Sequence, residues 1–340
     1  RNWVAERGKG IGYIMTSLTD AMELIRSGGN LDLNQALELA SGTEPTALYE
    51  AADRLRKELH GDHFDLCSII NARSGKCSEN CKFCAQSSRY QTEIETYDIV
   101  SYEEVRRQGL ENESLGVVRY SLVTAGREVS GEDIELFAAM YGQLGHESEL
   151  YFCASMGFLT REKAERLVEA GVRRYHCNLE TCRSFFPSIC TSHTWEDKVE
   201  TIKIARAAGM DICSGGIIGL GESFEQRLEL AFELRELEVL SIPLNILTPI
   251  PGTPLGKLST LSLGEVLTCI AMFRFINPQA VVRLAGGRAQ LGDDQYRCFQ
   301  AGANGAIVGN YLTTTGNSIV EDLQMIESLG FATGTRQAKE

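Results

Sequence analysis

Three places in this chain end an amphipathic run with the same device, Ala170-Gly171-Val172, Ala208-Gly209-Met210 and Ala301-Gly302-Ala303, each followed by an apolar segment. Glycine at such a point supplies the left-handed conformation that closes a helix, so the pattern reads as helix, turn, strand. Short apolar runs at Phe64–Ile70, Val117–Val123, Leu150–Ser155, Arg173–Leu179, Asp211–Ile218, Ser241–Leu247, Ala280–Leu284 and Gly305–Val308 alternate with the amphipathic stretches. Eight strands with helices between them predict an α/β fold, a (β/α)8 TIM-type barrel, whose chemistry sits on the loops after the strands. An open doubly wound sheet is the competing architecture, but no G-x-G-x-x-G follows the first strand. At 340 residues and 43% hydrophobic content the chain suffices for one such barrel.

Residues 16–59 carry helical spacing instead, with Leu18, Met22, Leu24 and Ile25 and then Leu48, Ala51 and Leu55 on apolar faces, broken at Gly28-Gly29 and Gly42. The expected division is a helical extension over 1–60 that caps the main fold, a barrel over 61–330, and a tail over 331–340. Arg1 to Tyr13 are expected to precede the natural start, because Met15 opens the better-patterned segment. The net charge of −13 argues against a nucleic-acid partner, which would need clustered Lys and Arg. No apolar run reaches the roughly 18 residues of a membrane span, and no signal-peptide core is seen. The expectation is a cytoplasmic protein without a membrane partner.

Eleven cysteines without an export signal point to metal, and their odd number speaks against a disulfide framework. Three of them, Cys77, Cys81 and Cys84, fall in one loop straight after the first strand, spaced C-x3-C-x2-C. Three thiolates on a short loop can hold three irons of a [4Fe–4S] cube and leave the fourth iron open to a small molecule. The alternative, a structural zinc site, asks for a closed set of four ligands in pairs, which this triplet does not provide.

With Phe83 before the last cysteine, this triplet resembles the loop of the radical S-adenosylmethionine (SAM) superfamily. The flank Cys84-Ala-Gln-Ser-Ser-Arg-Tyr90 is similar to the biotin synthase family, as are Tyr175–Thr181, Cys213–Glu222, Pro243–Ile246, Gly252–Leu255, Val282–Arg288 and Ala301–Asn304. The resemblance covers about residues 60 to 330. It implies a [4Fe–4S] cluster on Cys77, Cys81 and Cys84, SAM on the open iron, and sulfur insertion into dethiobiotin to form biotin. It also implies an electron donor of flavodoxin or ferredoxin type and a homodimer. Asn178 and Glu180 match the family's ribose-binding pair, and Gly215, Ile217 and Gly219 its glycine-rich segment beside the adenine. Read alone, those glycines equally describe a tight strand-to-helix turn. Hydrogen abstraction by a carbon radical requires no acid–base pair.

The resemblance further implies an auxiliary iron–sulfur cluster on three cysteines and one arginine. Cys153, Cys213 and Arg283 match three of these positions, but Ser121 stands where the second strand should carry the remaining cysteine. Side chains of neighbouring barrel strands enter the same interior, so Cys67 on the first strand is the expected replacement. A ligand moved to another strand changes the geometry, which leaves the cluster either [2Fe–2S] or a larger [4Fe–4S]-like form with an extra sulfide. The competing explanation for each thiol is a buried, unreactive core residue. Cys177, Cys182 and Cys190 are alternative ligands, Cys177 the weaker because strand alternation turns it from Asn178 and Glu180. Cys269 and Cys298 lie on apolar helix faces and read as core, and Arg89 and Arg119 as solvated or salt-bridged.

By the same resemblance Asn178, Asn245 and His176 contact dethiobiotin, although the family more often has Asn where His176 stands. Two other functions fit parts of the pattern. A maturase of the iron-hydrogenase cofactor shares the barrel and the loop, and an electron-transfer or sensor protein needs the loop but not Asn178, Glu180 or the glycine-rich segment.

Overall fold

A computed structural model describes residues 17–309 and 318–333. Three helices come first, α1 (Leu18–Arg26), α2 (Leu33–Gly42) and α3 (Pro45–His60). Then follow β1 (His63–Arg73), α4 (Tyr102–Ser114), β2 (Arg119–Thr124), α5 (Gly131–Leu144), β3 (Tyr151–Ser155), α6 (Arg161–Glu169) and β4 (Arg174–His176). A short α7 (Phe186–Ile189) and α8 (Trp195–Ala207) lead to β5 (Asp211–Cys213), β6 (Gly216–Ile218), α9 (Phe224–Glu236), β7 (Ser241–Ile246) and α10 (Leu263–Ile276). The chain closes through β8 (Val281–Leu284), a 3-10 run over Arg288–Ala301, β9 (Gly305–Val308), α11 (Ile319–Ser328) and β10 (Ala332–Thr333).

All these strands pair in parallel, and β1 bonds to both β2 and β9, so the sheet closes on itself. Because β5 and β6 are two halves of one stave, both bonded to β7, the barrel has eight staves, as the alternating pattern predicted. The helices begin where the sequence supplies a cap. Ser101, Ser130, Thr160, Thr194, Ser223 and Ser262 each accept a hydrogen bond from a backbone N–H of the first turn. They end at the predicted glycines, with φ of +94° at Gly171, +93° at Gly209 and +107° at Gly302.

Most predicted strands agree to within an end residue or two, and the fourth and fifth depart further. The fourth stops at His176, and the fifth breaks at Ser214-Gly215. At the break the Gly215 N–H donates to Asn178 Oδ1 at 3.0 Å, and a β-carbon on Gly215 would stand 1.9 Å from the Pro243 carbonyl oxygen. The backbone there passes closer to β7 than any side chain allows, which is why the stave bends into the barrel mouth.

The N-terminal helices join the outer helical layer. Tyr49 Oη donates to the Gly264 carbonyl of α10 at 3.1 Å, and Arg235 of α9 to the Leu31 carbonyl at 3.0 Å. At the other end, Ala332 and Thr333 pair with His63 and Phe64, and the Phe331 ring packs edge-on against Phe64 at 5.1 Å. The expected tail over 331–340 therefore starts inside the fold, because an aromatic side chain there has a core to fill. Met15 and residues 334–340 lie outside the described residues.

Candidate active site

One cavity of about 420 Å³ runs from the mouth of the barrel to its interior, and it is lined by both sets of predicted cysteines. The upper set sits on the loop after β1. Cys77 N–H donates to the Gln86 carbonyl at 3.1 Å, Ser88 N–H to the Cys77 carbonyl at 2.8 Å, and Cys84 N–H to the Cys81 carbonyl at 3.0 Å. The loop thus satisfies its own backbone and leaves Cys77, Cys81 and Cys84 half-buried along the cavity wall. Burial raises the Cys77 thiol above its ordinary range and pushes Cys84 up to about 11, so these are neutral thiols until a metal takes their protons. Three soft donors converging on one space fit three corners of a [4Fe–4S] cube.

Lower in the barrel, Cys67, Cys153 and Cys213 enter the same cavity from β1, β3 and β5. Their surroundings are cationic. Arg283 of β8 donates to the Asp65 carbonyl at 3.0 Å and to its carboxylate at 2.6 Å, and Arg119 reaches the same carboxylate at 2.9 Å. These arginines hold the Asp65 carboxyl well below the usual range although its burial pushes the other way. Around Cys213 stand His176 Nδ1 and Ser241 Oγ, each at 3.4 Å. Burial opposes ionisation of Cys213, but His176 and the guanidiniums of Arg283 and Arg174 bring it down to about 6. Cys67, beside Cys153 and facing Arg283, is also lowered, and Cys153 is raised in turn. Ser121 lines the cavity too, its hydroxyl buried without a hydrogen-bond partner among the described residues.

Between the two levels lies the glycine-rich stave. Asn178 Oδ1 is spent on Gly215, Ile217 N–H donates to the Glu180 carbonyl at 2.8 Å, and Gly219 N–H to the Glu222 carboxylate at 2.7 Å. Glu180, at φ +72°, presents a half-buried carboxylate whose ionisation burial resists and Lys198, 3.9 Å away, favours. Asn245 bridges two staves, donating to the Gly216 carbonyl at 3.1 Å and accepting from Gly286 N–H at 2.9 Å.

Several expectations are sharpened here. Arg283 enters the lower cavity already paired with Asp65. Cys177 packs in the hydrophobic core with its sulfur 4.0 Å from the Lys198 carbonyl, and Cys182 turns to Ser184 at 3.2 Å. Cys190 instead reaches Cys81, sulfur to sulfur at 3.7 Å. Cys269 and Cys298 are fully buried in the core. Arg119, set aside from the sequence, forms part of the lower network, and Arg89 donates to the Ser78 carbonyl at 2.9 Å on the surface. Reading the sequence missed Asp65, Arg174, Lys198, Glu79 and His193. Only Asp65, a carboxylate inside an apolar strand, gave any sign.

A closed parallel barrel with an open three-thiol loop at its mouth defines the class of radical SAM enzymes. Residues 72–234 match the Radical SAM superfamily, and residues 243–332 the Biotin and Thiamin Synthesis associated domain. The biotin synthase of Desulfotalea psychrophila is 55% identical over 92% of this chain and 94% of its own length, and that of Acetivibrio thermocellus 50% identical over 93% and 99%. The chain belongs to the biotin synthase family. Its fold is shared with methylornithine synthase, with a TM-score of 0.81 at 19% identity over 94% of this chain and 98% of the other. A FeFe-hydrogenase maturase from Carboxydothermus hydrogenoformans shares it as well, at a TM-score of 0.77 and 16% identity, over 94% and 80%. No described helix is long and apolar enough to cross a membrane.

Proposed function

We propose that this chain converts dethiobiotin to biotin as a radical SAM sulfurtransferase, with SAM as co-substrate. The observation that carries the reading is the stacking of two thiol sets in one cavity, one at the mouth without a fourth thiol of its own loop and one below it among arginines. Held by Cys77, Cys81 and Cys84, a reduced [4Fe–4S] cluster would supply the electron for cleavage of SAM to methionine and a 5′-deoxyadenosyl radical. The chain's own residues hold the reactants for that step. Cys77, Cys81 and Cys84 hold the cluster, the Glu180 carboxylate accepts from ribose hydroxyls, and Asn178 fixes the backbone of Gly215 so that Gly215, Ile217 and Gly219 form a wall for the adenine. Apolar lining excludes water from a radical that would otherwise be quenched.

Cys67, Cys153 and Cys213 are the auxiliary ligands in this reading, with Arg283 closing the set. The unpartnered Ser121 hydroxyl among these thiols supports a ligand set displaced onto Cys67, and the excess of guanidinium over carboxylate suits an anionic cluster. Displacement of one ligand favours the larger, [4Fe–4S]-like form with extra sulfide over [2Fe–2S]. His176 and Asn245 line the space above and, held in place by Cys213 and by the Gly216 and Gly286 backbone, orient dethiobiotin, with Asn178 beside them. Reductive cleavage of SAM consumes an electron that neither substrate provides, so a flavodoxin or ferredoxin serves as donor. A cytoplasmic location and the division into an extension over 1–60 and a barrel from 61 follow from the sequence pattern, and a homodimer carries over from the family resemblance.

Anaerobic turnover of the reconstituted chain with dethiobiotin, SAM and a strong reductant tests the reading. Biotin and methionine should both form, and methionine without biotin would overturn the sulfur-insertion step.

A further inference from the structure

The loop after α7 sets a second group of soft donors against the three-cysteine loop, and none of the radical chemistry uses it. Cys190 Sγ lies 3.7 Å from Cys81 Sγ and 3.4 and 3.7 Å from the two ring nitrogens of His193, and the ligand atoms of Cys81, Cys190 and His193 all fall within 4.8 Å of one another. A tetrahedral ion with about 2.3 Å bonds to sulfur and about 2.05 Å bonds to imidazole separates two sulfurs by about 3.8 Å and sulfur from nitrogen by about 3.6 Å. The observed spacings therefore fit one shared ion. They do not fit two corners of an iron–sulfur cube, whose thiolates radiate apart.

The surroundings also resemble a built metal centre. Glu79, buried beneath the loop, bonds to His193 Nδ1, which leaves Nε2 as the ligand nitrogen and fixes the ring in the way a carboxylate partner does at metal-binding histidines. Glu79 is itself held by Ser192 Oγ at 2.7 Å and Arg127 at 3.4 Å. The edges of Phe158 and Phe186 meet the imidazole at 5.3 and 5.6 Å, so the site is dry on that side.

We propose that Cys81, Cys190 and His193 form a mononuclear site for a thiophilic divalent cation, Zn2+ or Fe2+, in the chain that has not yet received its [4Fe–4S] cluster. Binding releases the remaining thiol proton of the Cys81–Cys190 pair to solvent and moves no electrons. Since Cys81 belongs to both sites, the single ion and the cluster exclude one another: Fe2+ here is an iron held beside the place where the cube is built, and Zn2+ here blocks insertion. Only this exclusion rests on Cys81 being a cluster ligand; the mononuclear site stands on its own geometry.

Titration of the full-length, cluster-free chain with Co2+ under anaerobic conditions is the test. One equivalent should bind with thiolate-to-cobalt charge transfer and tetrahedral ligand-field bands, and Zn2+ should displace it. Cys190→Ser and His193→Gln should each weaken binding by at least about tenfold, whereas Cys77→Ser and Cys84→Ser should leave it intact, with circular dichroism confirming that every variant is folded. Iron and sulfide reconstitution should release one equivalent of preloaded Zn2+. Unchanged binding in both Cys190→Ser and His193→Gln, or its loss in Cys77→Ser and Cys84→Ser, would overturn the proposal. SAM cleavage by the reconstituted unaltered chain under dithionite reads the radical SAM assignment separately, so the two can fail independently.

Discussion

The mouth and the interior of this barrel each gather three thiols, but they do so by opposite means. At the mouth, eight consecutive residues from Cys77 to Cys84 do the work, and burial raises the Cys77 and Cys84 thiols, outweighing the nearby Arg73 guanidinium at Cys77. Inside, Cys67, Cys153 and Cys213 come from separate staves, and His176, Arg174 and Arg283 lower Cys213 to about 6. The mouth waits for iron to draw off its protons. The interior is charged in advance for an anion, and that electrostatic preparation costs a buried ion-pair network, Asp65 with Arg119 and Arg283, that must stay complete.

The largest expected effect separates the two regions outright. Replacing Cys77, Cys81 and Cys84 together by alanine should abolish methionine release from SAM under dithionite, while auxiliary iron and sulfide, counted by chemical analysis and Mössbauer spectroscopy, persist. Loss of both clusters in that variant would mean that the regions are not separately loaded. Conversely, Cys67→Ser should remove or convert the auxiliary signal and leave SAM cleavage near the unaltered rate. Normal auxiliary iron in that variant would remove Cys67 from the ligand set.

Next in size is the interior's stability. Asp65→Asn leaves two guanidiniums without their shared carboxylate, and breaking such a buried pair costs about 3–5 kcal/mol, read by denaturant unfolding of the metal-free chain. The sign of its pH dependence is fixed. Because the folded Asp65 carboxyl lies far below its ordinary value, its contribution is full above the unfolded value of about 3.9 and is lost as the pH falls through the folded one. The gap between the unaltered chain and Asp65→Asn should therefore be widest near neutral pH and narrow in acid. A gap that grows on acidification would show that Asp65 is not the charged partner of these arginines.

The same contrast explains what could be read from the sequence. The mouth was legible because its ligands are contiguous: C-x3-C-x2-C needs no knowledge of which strand lies beside which. The barrel was legible for a similar reason, since Gly171, Gly209 and Gly302 mark helix ends locally. The interior depends on register. Cys67 pairs laterally with Arg119 and Ile307, Cys153 with Ser121 and Arg174, and His176 with Cys213, and no spacing along the chain encodes those pairings. Arg174, whose Nε has no hydrogen-bond partner among the described residues, was invisible for that reason. So was Lys198, a helix residue that only the curl of the chain at Glu180 brings to the cavity.

The smallest expected effect tests the seam between the two regions. Asn178 reads as a substrate contact, but its carbonyl oxygen is committed to Gly215 N–H, where the fifth stave bends against β7. If its work is to hold that bend, Asn178→Ala removes one neutral hydrogen bond, worth about 1 kcal/mol, and the cost should fall on the KM for SAM, raised by roughly fivefold with kcat little changed. Asn178→Asp, which keeps the accepting oxygen, should restore most of the loss. A drop in kcat for biotin formation at unchanged SAM affinity would instead place Asn178 against dethiobiotin. In that case the glycine-rich stave would hold its shape through the Ile217 N–H bond to the Glu180 carbonyl, the Asn245 bond to the Gly216 carbonyl and its pairing with β7.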